Sequence, residues 1–588
     1  MRADLVAQEV RVRGDPLRDP VGPKDTDVAG SVVTRDRLVG PGLEAQDVLR
    51  TQPGVVVSES GGYGAPATAA IRGATAADTP VYLAGIRLND DVGGTADLSL
   101  VPLWLIDHVE IYRGNAPLEA DRLGPGGAIF FEPRTPTREM GGVGYYGGSW
   151  GASKGWAYEG TRAGPAGVLV GVSADHATNR YPFLDDKGTL FEPGNATEAT
   201  RRNDDESTVE GWALARLELG GGATLDVVGN AITREQGVPS LALVQTREAR
   251  ERSNRGLAGV SLRLPLDAAQ RVTLDVRTSF IVAGIAFSDP INEIGTGSLT
   301  VVGRRIAQTV GATVNLTDAL RLRPVLDFAH EDIDRDPDDI ALGKSHREFA
   351  RAALGAEGRV TDWLALHALG SAECHYTGAK PGDPCDVLAP TGRLGIEVGG
   401  GRVRALANVG RYVRVPTLGE VYGDSGAIHG NPALAPETGV TGDLGIRAQT
   451  ARSRDGAVVT GAFVDAFVFV RAADGLIAYA RTGQGYVTPY NVGAARVLGA
   501  ELLTGIGLTP IVRLEVAATA LDPRDTSSNR TTVNDILPFR SRLIAAPRLV
   551  ADWKRRSRGG VSGVGGEVHA LYQSSRYADR AGLGVIPQ

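Results

Sequence analysis

One short motif in this sequence has the spacing of a serine nucleophile, Gly-x-Ser-x-Gly at Gly147–Gly151. In hydrolases that carry it, the serine stands on a sharp turn between a buried strand and a helix. No buried strand precedes Ser149 and no helical pattern follows it, so we interpret the segment as a turn. The chain also has no Walker phosphate loop, no His-Glu-x-x-His and no Cys-x-x-Cys, and its 8 histidines are dispersed. We therefore predict no catalytic site and expect that the protein is not an enzyme.

The two cysteines of the chain flank a short polar segment. Cys374 and Cys385 lie on either side of residues 375–384, which are rich in proline and glycine. Because these residues turn the chain back on itself, we predict a disulfide that closes an exposed loop in an oxidising compartment. A pair of free thiols is the alternative.

Two acidic clusters have side chains of the type that binds calcium, because carboxylate oxygens suit that ion. They are Asp185-Asp186 and Asp204-Asp205-Glu206. Solvated acids in polar loops are the interpretation that we prefer. We therefore predict no cofactor and no resident metal, with calcium in these loops as the alternative.

Composition and charge narrow the classes of function. A net charge of -7 without a basic stripe argues against a nucleic-acid partner. The longest nearly apolar runs, such as Phe280–Phe287, fall far short of the ~18 residues that a membrane-spanning helix needs. If the protein crosses a membrane, it must do so as a closed barrel. Residues 1–10 contain no apolar core of a secretory signal, so either the chain is a mature form or an upstream start is missing.

From about residue 138 onward, apolar and polar residues alternate over long stretches. The alternation is clear in Gly167–Asp175, Val403–Val415 and Val458–Val470, where one face is apolar and the other polar. We count about 20 such segments, and many reach the ~9–11 residues of a tilted membrane strand rather than the ~5 or 6 of a soluble sheet. Tight turns and long polar loops alternate between them. The pattern predicts an antiparallel transmembrane β-barrel, with a large soluble β-sandwich as the alternative.

Two further zones precede the alternating region. Residues 1–37 are rich in charge and contain several prolines, and we interpret them as an extended arm. Residues 38–137 have the pattern of a small α+β domain, with a helix predicted over Gly42–Thr51 and short strands after it. The expected organisation is therefore an arm (1–37), a small mixed domain (38–137) and a barrel (138–588).

Several motifs of the middle zone resemble the plug domain of TonB-dependent receptors. Asp47–Val55 has that family's helix followed by its leucine-x-x-x-proline-glycine-valine turn. Ile71-Arg72-Gly73 matches the isoleucine-arginine-glycine signature, and Ile106–Gly114 matches the isoleucine-x-x-valine-glutamate-x-x-arginine-glycine strand. Val81–Leu88 and Gly126–Ile129 stand where the family has further plug strands. These motifs fall in the family's order.

The resemblance continues into the barrel at Arg414–Tyr422, Gly430–Glu437 and Asn491–Glu501, so it covers nearly the whole chain. It implies a mainly β fold: a large antiparallel transmembrane β-barrel, about 22 strands when complete, with a small α+β plug in its lumen. It also implies a monomer in the lipid of a Gram-negative outer membrane. Such receptors import a small metal chelate, such as a ferric siderophore or cobalamin, and the TonB protein supplies the energy. A surface-exposed binding or adhesin barrel without active transport is the alternative.

The sequence departs from the family pattern at a few positions. Ala84 replaces the usual aspartate, and Asn115 replaces the usual proline after Arg113-Gly114. The chain ends at Gly584–Gln588 without the family's closing aromatic strand. Because bacterial barrels have no free edge, we expect roughly two C-terminal strands to be absent here.

The resemblance also implies which charges hold the plug inside the barrel. It places Arg72 and Arg113 of the plug against Glu420 and Glu501 of the barrel wall. Guanidinium groups match carboxylates geometrically, and partly buried pairs keep the plug in register while leaving it able to move. Ordinary surface charge is the alternative.

The arm and the plug apices supply the remaining predicted sites. In the arm we predict a TonB box, which would bind its partner by adding a strand to a sheet edge, with a disordered tail as the alternative. Its residues are Glu9, Val10, Arg11, Val12 and Arg13. At the plug apices we predict ligand contacts, and the segment Leu88–Ser99 looks most like cobalamin receptors. The predicted ligand-binding residues are Ser58, Tyr63, Asn89, Asp90 and Asp91.

Overall fold

The computed structural model describes residues 28–580 except for 41, 90–92, 186–192, 240–244, 295–297, 337–344, 378–384, 424–428, 451–458, 482–486, 529, 531 and 555–562, together with 582 and 584–586. Within these residues the chain forms a small domain and then an antiparallel sheet of twenty strands that closes into a barrel. The predicted fold class, a large antiparallel β-barrel with an α+β plug in its lumen, is confirmed. No helix in the described part of the chain is long and apolar enough to span a membrane.

The plug is built on a five-stranded sheet. Its elements are β1 Gly30–Thr34, α1 Ala45–Arg50, β2 Val55–Glu59, β3 Ala67–Ile71, β4 Val81–Leu83, β5 Ile86–Arg87, β6 Ile106–Arg113 and β7 Gly127–Pro133, with single-turn 3-10 helices at Arg35–Arg37, Ala76–Asp78 and Leu98–Leu100. The sheet has the order β1-β6-β7-β4-β5, and β2 and β3 form a separate hairpin. Side chains such as Leu49, Ile71, Leu83, Ile106 and Phe131 are fully buried and form its core.

The plug sheet begins earlier in the chain than the predicted boundary at residue 38. β1 pairs with β6, so that Gly30 lies opposite Tyr112 and Thr34 opposite His108. Residues 30–34, which the sequence pattern assigned to the arm, therefore belong to the plug. The reason is that β1 is short and its pairing partner lies more than seventy residues later, so local sequence does not show the pairing.

The helix α1 is shorter than predicted but lies within the expected range. The Asp47 carboxylate accepts a hydrogen bond from the Glu44 main-chain N–H at 3.1 Å and so begins the helix. After α1 the chain turns at Gly54, whose φ of 77° is accessible mainly to glycine. This turn leads directly into β2, as the proline-glycine-valine motif indicated.

The barrel strands follow one another around the sheet with neighbours antiparallel. In chain order the strands are β8 Met140–Gly147, β9 Ser153–Ala163, β10 Ala166–Ala177, β11 Pro182–Asp185, β12 Thr197–Thr200, β13 Glu206–Gly220, β14 Ala223–Gly237, β15 Arg250–Pro265, β16 Val272–Ser288, β17 Leu299–Asn315, β18 Leu320–Asp336, β19 Ser345–Thr361, β20 Leu364–Tyr376, β21 Val387–Gly400, β22 Val403–Arg414, β23 Glu437–Gln449, β24 Gly461–Arg481, β25 Val487–Gly507, β26 Val512–Asp525, β27 Leu543–Lys554, β28 Gly563–His569, β29 Tyr572–Gln573, β30 Arg576–Tyr577 and β31 Val585–Ile586. Two pairs, β11–β12 and β30–β31, form separate hairpins, and a short helix, α2 Leu418–Tyr422, follows β22.

The alternation in the sequence divides the two faces of the barrel wall. On β10 the valines at 168, 170 and 172 point outward and are 42, 47 and 60% exposed, whereas Ser173 points inward and is 3% exposed. An apolar outward face is what lipid requires, and a polar inward face can bind a plug by hydrogen bonds and ion pairs.

The connections between strands alternate in length. At one end of the barrel, the short-turn end, two residues suffice, as at 221–222 after β13, 362–363 after β19 and 401–402 after β21. At the other end, the long-loop end, connections such as 178–205 and 415–436 are much longer. The predicted alternation of tight turns and long loops therefore divides between the two ends of the barrel.

Candidate functional site

A turn at the end of β3 presents Arg72 to the barrel wall. Arg72 has a φ of 53° and Gly73 one of 71°, so the chain leaves the hairpin abruptly. The Arg72 main-chain N–H donates to the Gly54 carbonyl at 2.8 Å, which fixes the turn. The guanidinium donates to both carboxylate oxygens of Glu501 on β25, with Nε–Oε1 2.9 Å and Nη2–Oε2 2.8 Å. Such two-point pairs are geometrically specific as well as strong.

Arg113 reaches the same carboxylate from the end of β6. Its side chain is fully buried, and its Nη1 lies 3.3 Å from Glu501 Oε2. Its Nη2 lies 3.6 Å from Asp465 Oδ2 on β24, and its guanidinium carbon lies 5.7 Å from the ring centre of Phe467. The two plug arginines named from the sequence, Arg72 and Arg113, are thus both placed against Glu501.

Asn115, which stands where a proline was expected, adds an uncharged contact to the same wall. Its side-chain amide donates to Asp443 on β23 at 2.7 Å, and Arg72 Nη1 lies 3.4 Å from the same carboxylate. Asn408 on β22 donates to the other Asp443 oxygen at 3.2 Å. A proline has no side-chain donor and could not make this bond. The wall from β22 to β25 therefore holds the plug through a network of buried charges and amides.

Glu420 does not face Arg72 or Arg113, and this part of the prediction is wrong. Glu420 lies in α2, where its carboxylate accepts from Arg414 at 2.7 Å and from the Tyr479 hydroxyl at 2.8 Å. The reason is local, because α2 folds the segment after β22 back over the end of that strand. Arg414 also pairs with Asp78 of the plug, so it links Glu420 to the plug.

A second ionic cluster, which no motif pointed to, lies on the opposite side of α2 around Glu331 on β18. Glu331 is fully buried and accepts hydrogen bonds from two plug arginines, Arg87 at 2.7 Å and Arg122 at 2.9 Å. Two wall arginines also donate to it, Arg305 at 3.2 Å and Arg347 at 2.9 Å. One carboxylate thus joins two strands of the wall to two segments of the plug.

Asp121 completes this cluster from the plug side. It pairs with Arg305 and accepts a hydrogen bond from the Tyr82 hydroxyl at 2.6 Å. Burial opposes ionisation, but Arg87 and Arg305 lower the pKa of Asp121, so it stays charged. We call these six groups the Glu331 layer: Arg87, Asp121, Arg122, Arg305, Glu331 and Arg347.

The sequence does indicate the wall residues of this layer, because the alternation along each strand shows which side chains point into the lumen. On β18, Leu326 and Phe328 point outward and are 47 and 51% exposed, whereas Glu331 lies in the inward phase. A buried charge needs a partner, and Arg305 and Arg347 lie directly opposite Glu331 on the neighbouring strands. These three residues can therefore be recognised in the sequence as charged side chains at inward-facing positions of neighbouring strands.

Two of the predicted ligand contacts, Ser58 and Tyr63, lie at the long-loop end of the plug. Ser58 is exposed and lines a cavity of about 180 Å³ whose wall includes Tyr479. Tyr63 is half-buried against the barrel. Its hydroxyl lies 3.4 Å from Asp175 on β10, and its main-chain N–H donates to Asn179 at 3.1 Å. Both side chains are therefore placed where the long loops converge on the plug.

Asn89, a third predicted ligand contact, is buried in the plug. Asn89 is 5% exposed; its Oδ1 accepts from the Val81 N–H at 2.7 Å, and its Nδ2 donates to the Gly94 carbonyl at 3.2 Å. These bonds close a plug loop on itself, so Asn89 does not stand on an exposed apex as expected. Asp90 and Asp91 lie outside the described residues, as does the TonB box at Glu9–Arg13.

The remaining sequence predictions concern the cysteine pair, the Gly-x-Ser-x-Gly segment and the acidic clusters. Cys374 and Cys385 are joined by a disulfide, with their Cα atoms 5.4 Å apart. Ser149 lies in a single helical turn between β8 and β9, as expected for a turn rather than a nucleophile. Of the acidic clusters, Asp205 pairs with Arg250 at 2.9 Å, and Asp186 lies outside the described residues. Within the described ranges no three His, Cys, Asp or Glu side chains are arranged to hold a metal ion.

Besides the cavity beside Ser58, further spaces lie between the plug and the wall. At the short-turn end, adjoining cavities of about 690 and 220 Å³ extend along strands β13 to β19, and we call them the short-turn crevice. Arg216, Asp226, Ser261 and Arg277 line both of these cavities. Towards the long-loop end lies a smaller space of about 50 Å³, the outer cavity. Its lining includes Asp78, Arg87, Asn89, Arg122, Glu373, His375 and Arg414.

Two family models match the sequence. The TonB-dependent receptor plug domain matches residues 23–128, and the TonB-dependent receptor-like β-barrel matches residues 391–587. Together they cover slightly more than half of the chain. They fall on the plug and on the later barrel strands.

Individual proteins resemble the chain in part or in overall fold. The vitamin B12 transporter BtuB of Vibrio vulnificus (strain YJ016) is 35% identical over 85 residues, which is 14% of this chain and 14% of that protein. The structure of the copper transporter OprC has a TM-score of 0.71 at 14% identity. The match covers 94% of this chain and 90% of the OprC chain. That of the siderophore receptor PirA from Pseudomonas aeruginosa has a TM-score of 0.67 at 13% identity and covers 94% of each chain. At these identities the solved structures show a shared fold.

Proposed function

The chain belongs to the TonB-dependent receptor family, and we propose that it imports a small metal chelate, such as a ferric siderophore or cobalamin, with energy supplied by TonB. Proteins of this family are outer-membrane transporters and receptors rather than enzymes. The nature of the chelate and the use of TonB by this chain are the parts that we propose.

The polar attachment of the plug inside the barrel is the observation that carries this proposal. Glu501 and Glu331 each bind two plug arginines in the lumen. Ion pairs block the lumen in a fixed register, yet they can exchange for water or for other partners when the plug moves. The plug core also packs against apolar wall residues such as Trp212, Leu214 and Ile281, so movement of the plug must release these contacts together with the ion pairs. A purely structural barrel would not need a displaceable plug.

The ligand class is supported by the relatives and by the plug apex. The segment similar to the vitamin B12 transporter makes cobalamin the first candidate, and the shared fold with a siderophore receptor makes ferric chelates the second. Ser58 and Tyr63 lie where the long loops converge, so we propose that they contact the ligand. Aromatic side chains such as tyrosine supply large contact areas at binding sites.

The position of β1 supports the proposal that energy is coupled through the arm. The arm, residues 1–27, leads directly into β1, which is an edge strand of the plug sheet. Arg447 of the barrel donates to the Val28 carbonyl at 3.1 Å and holds the start of this strand. A partner that binds the arm at Glu9–Arg13 and pulls would therefore act first on β1 and its pairing with β6.

Uptake in cells that lack the gene tests the proposal. Cells with the restored receptor should accumulate radiolabelled cobalamin or a ⁵⁵Fe-labelled siderophore, and loss of TonB should abolish accumulation but keep binding at the surface. Tyr63→Ala should weaken binding about tenfold, equivalent to ~1.4 kcal/mol. Tyr145→Ala is the matched control, because Tyr145 on β8 is 77% exposed on the outside of the barrel. Binding without TonB-dependent accumulation would contradict import and favour a surface binding protein.

A further inference from the structure

The plug is attached unevenly to the barrel. On the side of β22 to β25 it is held by the buried network around Glu501 and Asp443. On the side of β13 to β19 apolar wall residues such as Trp212, Val228 and Ile281 pack against the plug core, and the short-turn crevice lies between plug and wall at the short-turn end. Individual wall arginines span this gap: Arg277 to the Gly85 carbonyl at 3.0 Å, Arg351 to the Leu118 carbonyl at 3.0 Å, and Arg323 to Glu119.

The Glu331 layer lies between the outer cavity and the short-turn crevice. Its plug arginines, Arg87 and Arg122, line the outer cavity. On β18, which runs from the short-turn end at residue 320 to the long-loop end at residue 336, Asp327 lines the crevice four residues before Glu331. Thr309 on β17 lies opposite Asp327 and also lines the crevice. The two spaces are thus separated by one layer of ion pairs.

We infer that the ligand crosses the receptor along the wall from β17 to β20, from the outer cavity through the Glu331 layer, which acts as the gate, into the short-turn crevice. The inference rests on the proposed function, because a permeation path has a role only in a transporter. It adds the side of the plug that opens and the residues that close it.

The charges along this path indicate the chemistry of the ligand. The Glu331 layer brings four guanidinium groups against two carboxylates, so its excess charge is positive and favours an anionic ligand. In the crevice the charges pair with each other, as in Arg216–Asp226 at 2.6 Å and Arg351–Asp327 at 2.8 Å. Charges that are already paired bind a passing ligand only weakly. A passage needs such weak binding, because a ligand that binds tightly there would not leave.

Comparing two buried acids tests the position of the gate. Glu331→Gln and Glu501→Gln each remove a carboxylate that two plug arginines share, but on different walls. For purified receptor in planar bilayers, we expect Glu331→Gln to raise the ion conductance more than tenfold and Glu501→Gln to give at most a fifth of that rise. An equal or larger rise with Glu501→Gln would overturn the inference.

The open Glu331→Gln current should be carried mainly by chloride in a KCl gradient, and a cation-selective current would overturn the assigned ligand charge.

A reversible crosslink across the crevice gives a second measurement. A Cβ added at Gly355 lies 3.1 Å from Leu118 Cδ2, so these two positions are neighbours, and we choose the pair Leu118→Cys and Gly355→Cys in a Cys374→Ser/Cys385→Ser background. Thiol labelling after oxidation first checks that the disulfide has formed. In the Glu331→Gln receptor, oxidation should return the conductance to within twofold of wild type, and reduction should restore the leak. A leak that oxidation does not change would contradict the path.

Two further comparisons distinguish failure of the proposed gate from misfolding of the variant and from failure of the proposed function. If Glu331→Gln lacks the heat-modifiable electrophoretic mobility of a folded barrel, Arg122→Gln opens the same layer from the plug side and should give the same leak and the same response to the crosslink. Conductance requires neither ligand nor TonB. A closed Arg122→Gln pore would therefore contradict the gate alone, whereas an open pore in a receptor that takes up no chelate would contradict the proposed function alone.

Discussion

Arg72 and Glu501, 429 positions apart in the chain, form a two-point ion pair across the boundary between plug and barrel, with donor–acceptor distances of 2.9 and 2.8 Å. Both side chains are buried, and Arg113 shares the same carboxylate at 3.3 Å. The pair therefore fixes the register of the plug in the lumen, and its loss leaves two guanidinium groups without their main counter-charge.

Glu501→Gln should destabilise the plug by about 3–5 kcal/mol, because breaking a buried pair leaves an uncompensated charge. The measurement is hydrogen exchange of peptides from β3 and its following turn in increasing urea. Glu420→Gln is the matched control, since Glu420 bonds to Arg414 and Tyr479 of the wall. Equal effects of the two variants on the Arg72 turn would argue against the pairing. The double variant Arg72→Gln/Glu501→Gln should cost less than the sum of the single ones.

The arm prediction is tested by removing one main-chain donor. Val10→Pro or Val12→Pro should reduce chelate uptake at least tenfold while leaving ligand binding intact, because proline cannot donate to a strand ladder. Val10→Ala keeps the N–H group and should retain most of the uptake. The readout is accumulation of labelled ligand beside equilibrium binding on the same cells. If the proline variants transport normally, the TonB box lies elsewhere in the chain.

Plug stability should depend on pH through His108, which bonds to Asp107 at 3.0 Å and to Glu110 at 3.3 Å. Burial opposes the charged imidazole, but these hydrogen bonds raise the pKa of His108 from 6.5 to about 9. A raised pKa in the folded state stabilises the plug fully below pH 6.5, and this contribution is lost as the pH rises through 9. We therefore expect the urea midpoint of plug unfolding to fall between these values.

The variant His108→Asn isolates this contribution. Burial raises the pKa of Glu44 to about 8, and ionisation of this buried acid also lowers stability as the pH rises. The pH dependence of His108→Asn should thus be shallower than that of the wild type but not flat. Identical slopes for the two proteins would show that His108 contributes nothing to the pH dependence.

The disulfide between Cys374 and Cys385 should be present in the isolated protein. Denatured receptor should take up no maleimide-polyethylene glycol before reduction and two molecules after it, because the chain has 2 cysteines and both are paired. Cys374→Ser should leave one thiol that reacts without reductant. Labelling of unreduced wild-type protein would show that the thiols are free.

Much of the barrel could be predicted from the sequence because its strands follow a local rule. Side chains alternate between the two faces of a strand, so the valines of β10 and the polar residues between them identify lipid and lumen directly. The tight and long connections also follow local composition. The plug motifs likewise identified Arg72 and Arg113 as two of the plug arginines that reach the wall.

Other features could not be obtained in this way. The boundary of the plug was placed at residue 38 because the pairing of β1 with β6 is not local. Glu420 was expected to face Arg72 and Arg113 from the barrel wall, because its motif does not show that α2 turns it towards Arg414. Asn89 was expected on an exposed apex, whereas it is buried and closes its own loop.

The sequence by itself determined the alternation of the strands, their two faces and the charged residues available in the lumen, because each depends on neighbours along the chain. Only the tertiary structure decided which charges meet. The Glu331 layer joins residues that lie up to 260 positions apart, from Arg87 to Arg347, and their meeting depends on how the plug is rotated within the barrel. That rotation is set by many weak contacts at once, and no single segment encodes it.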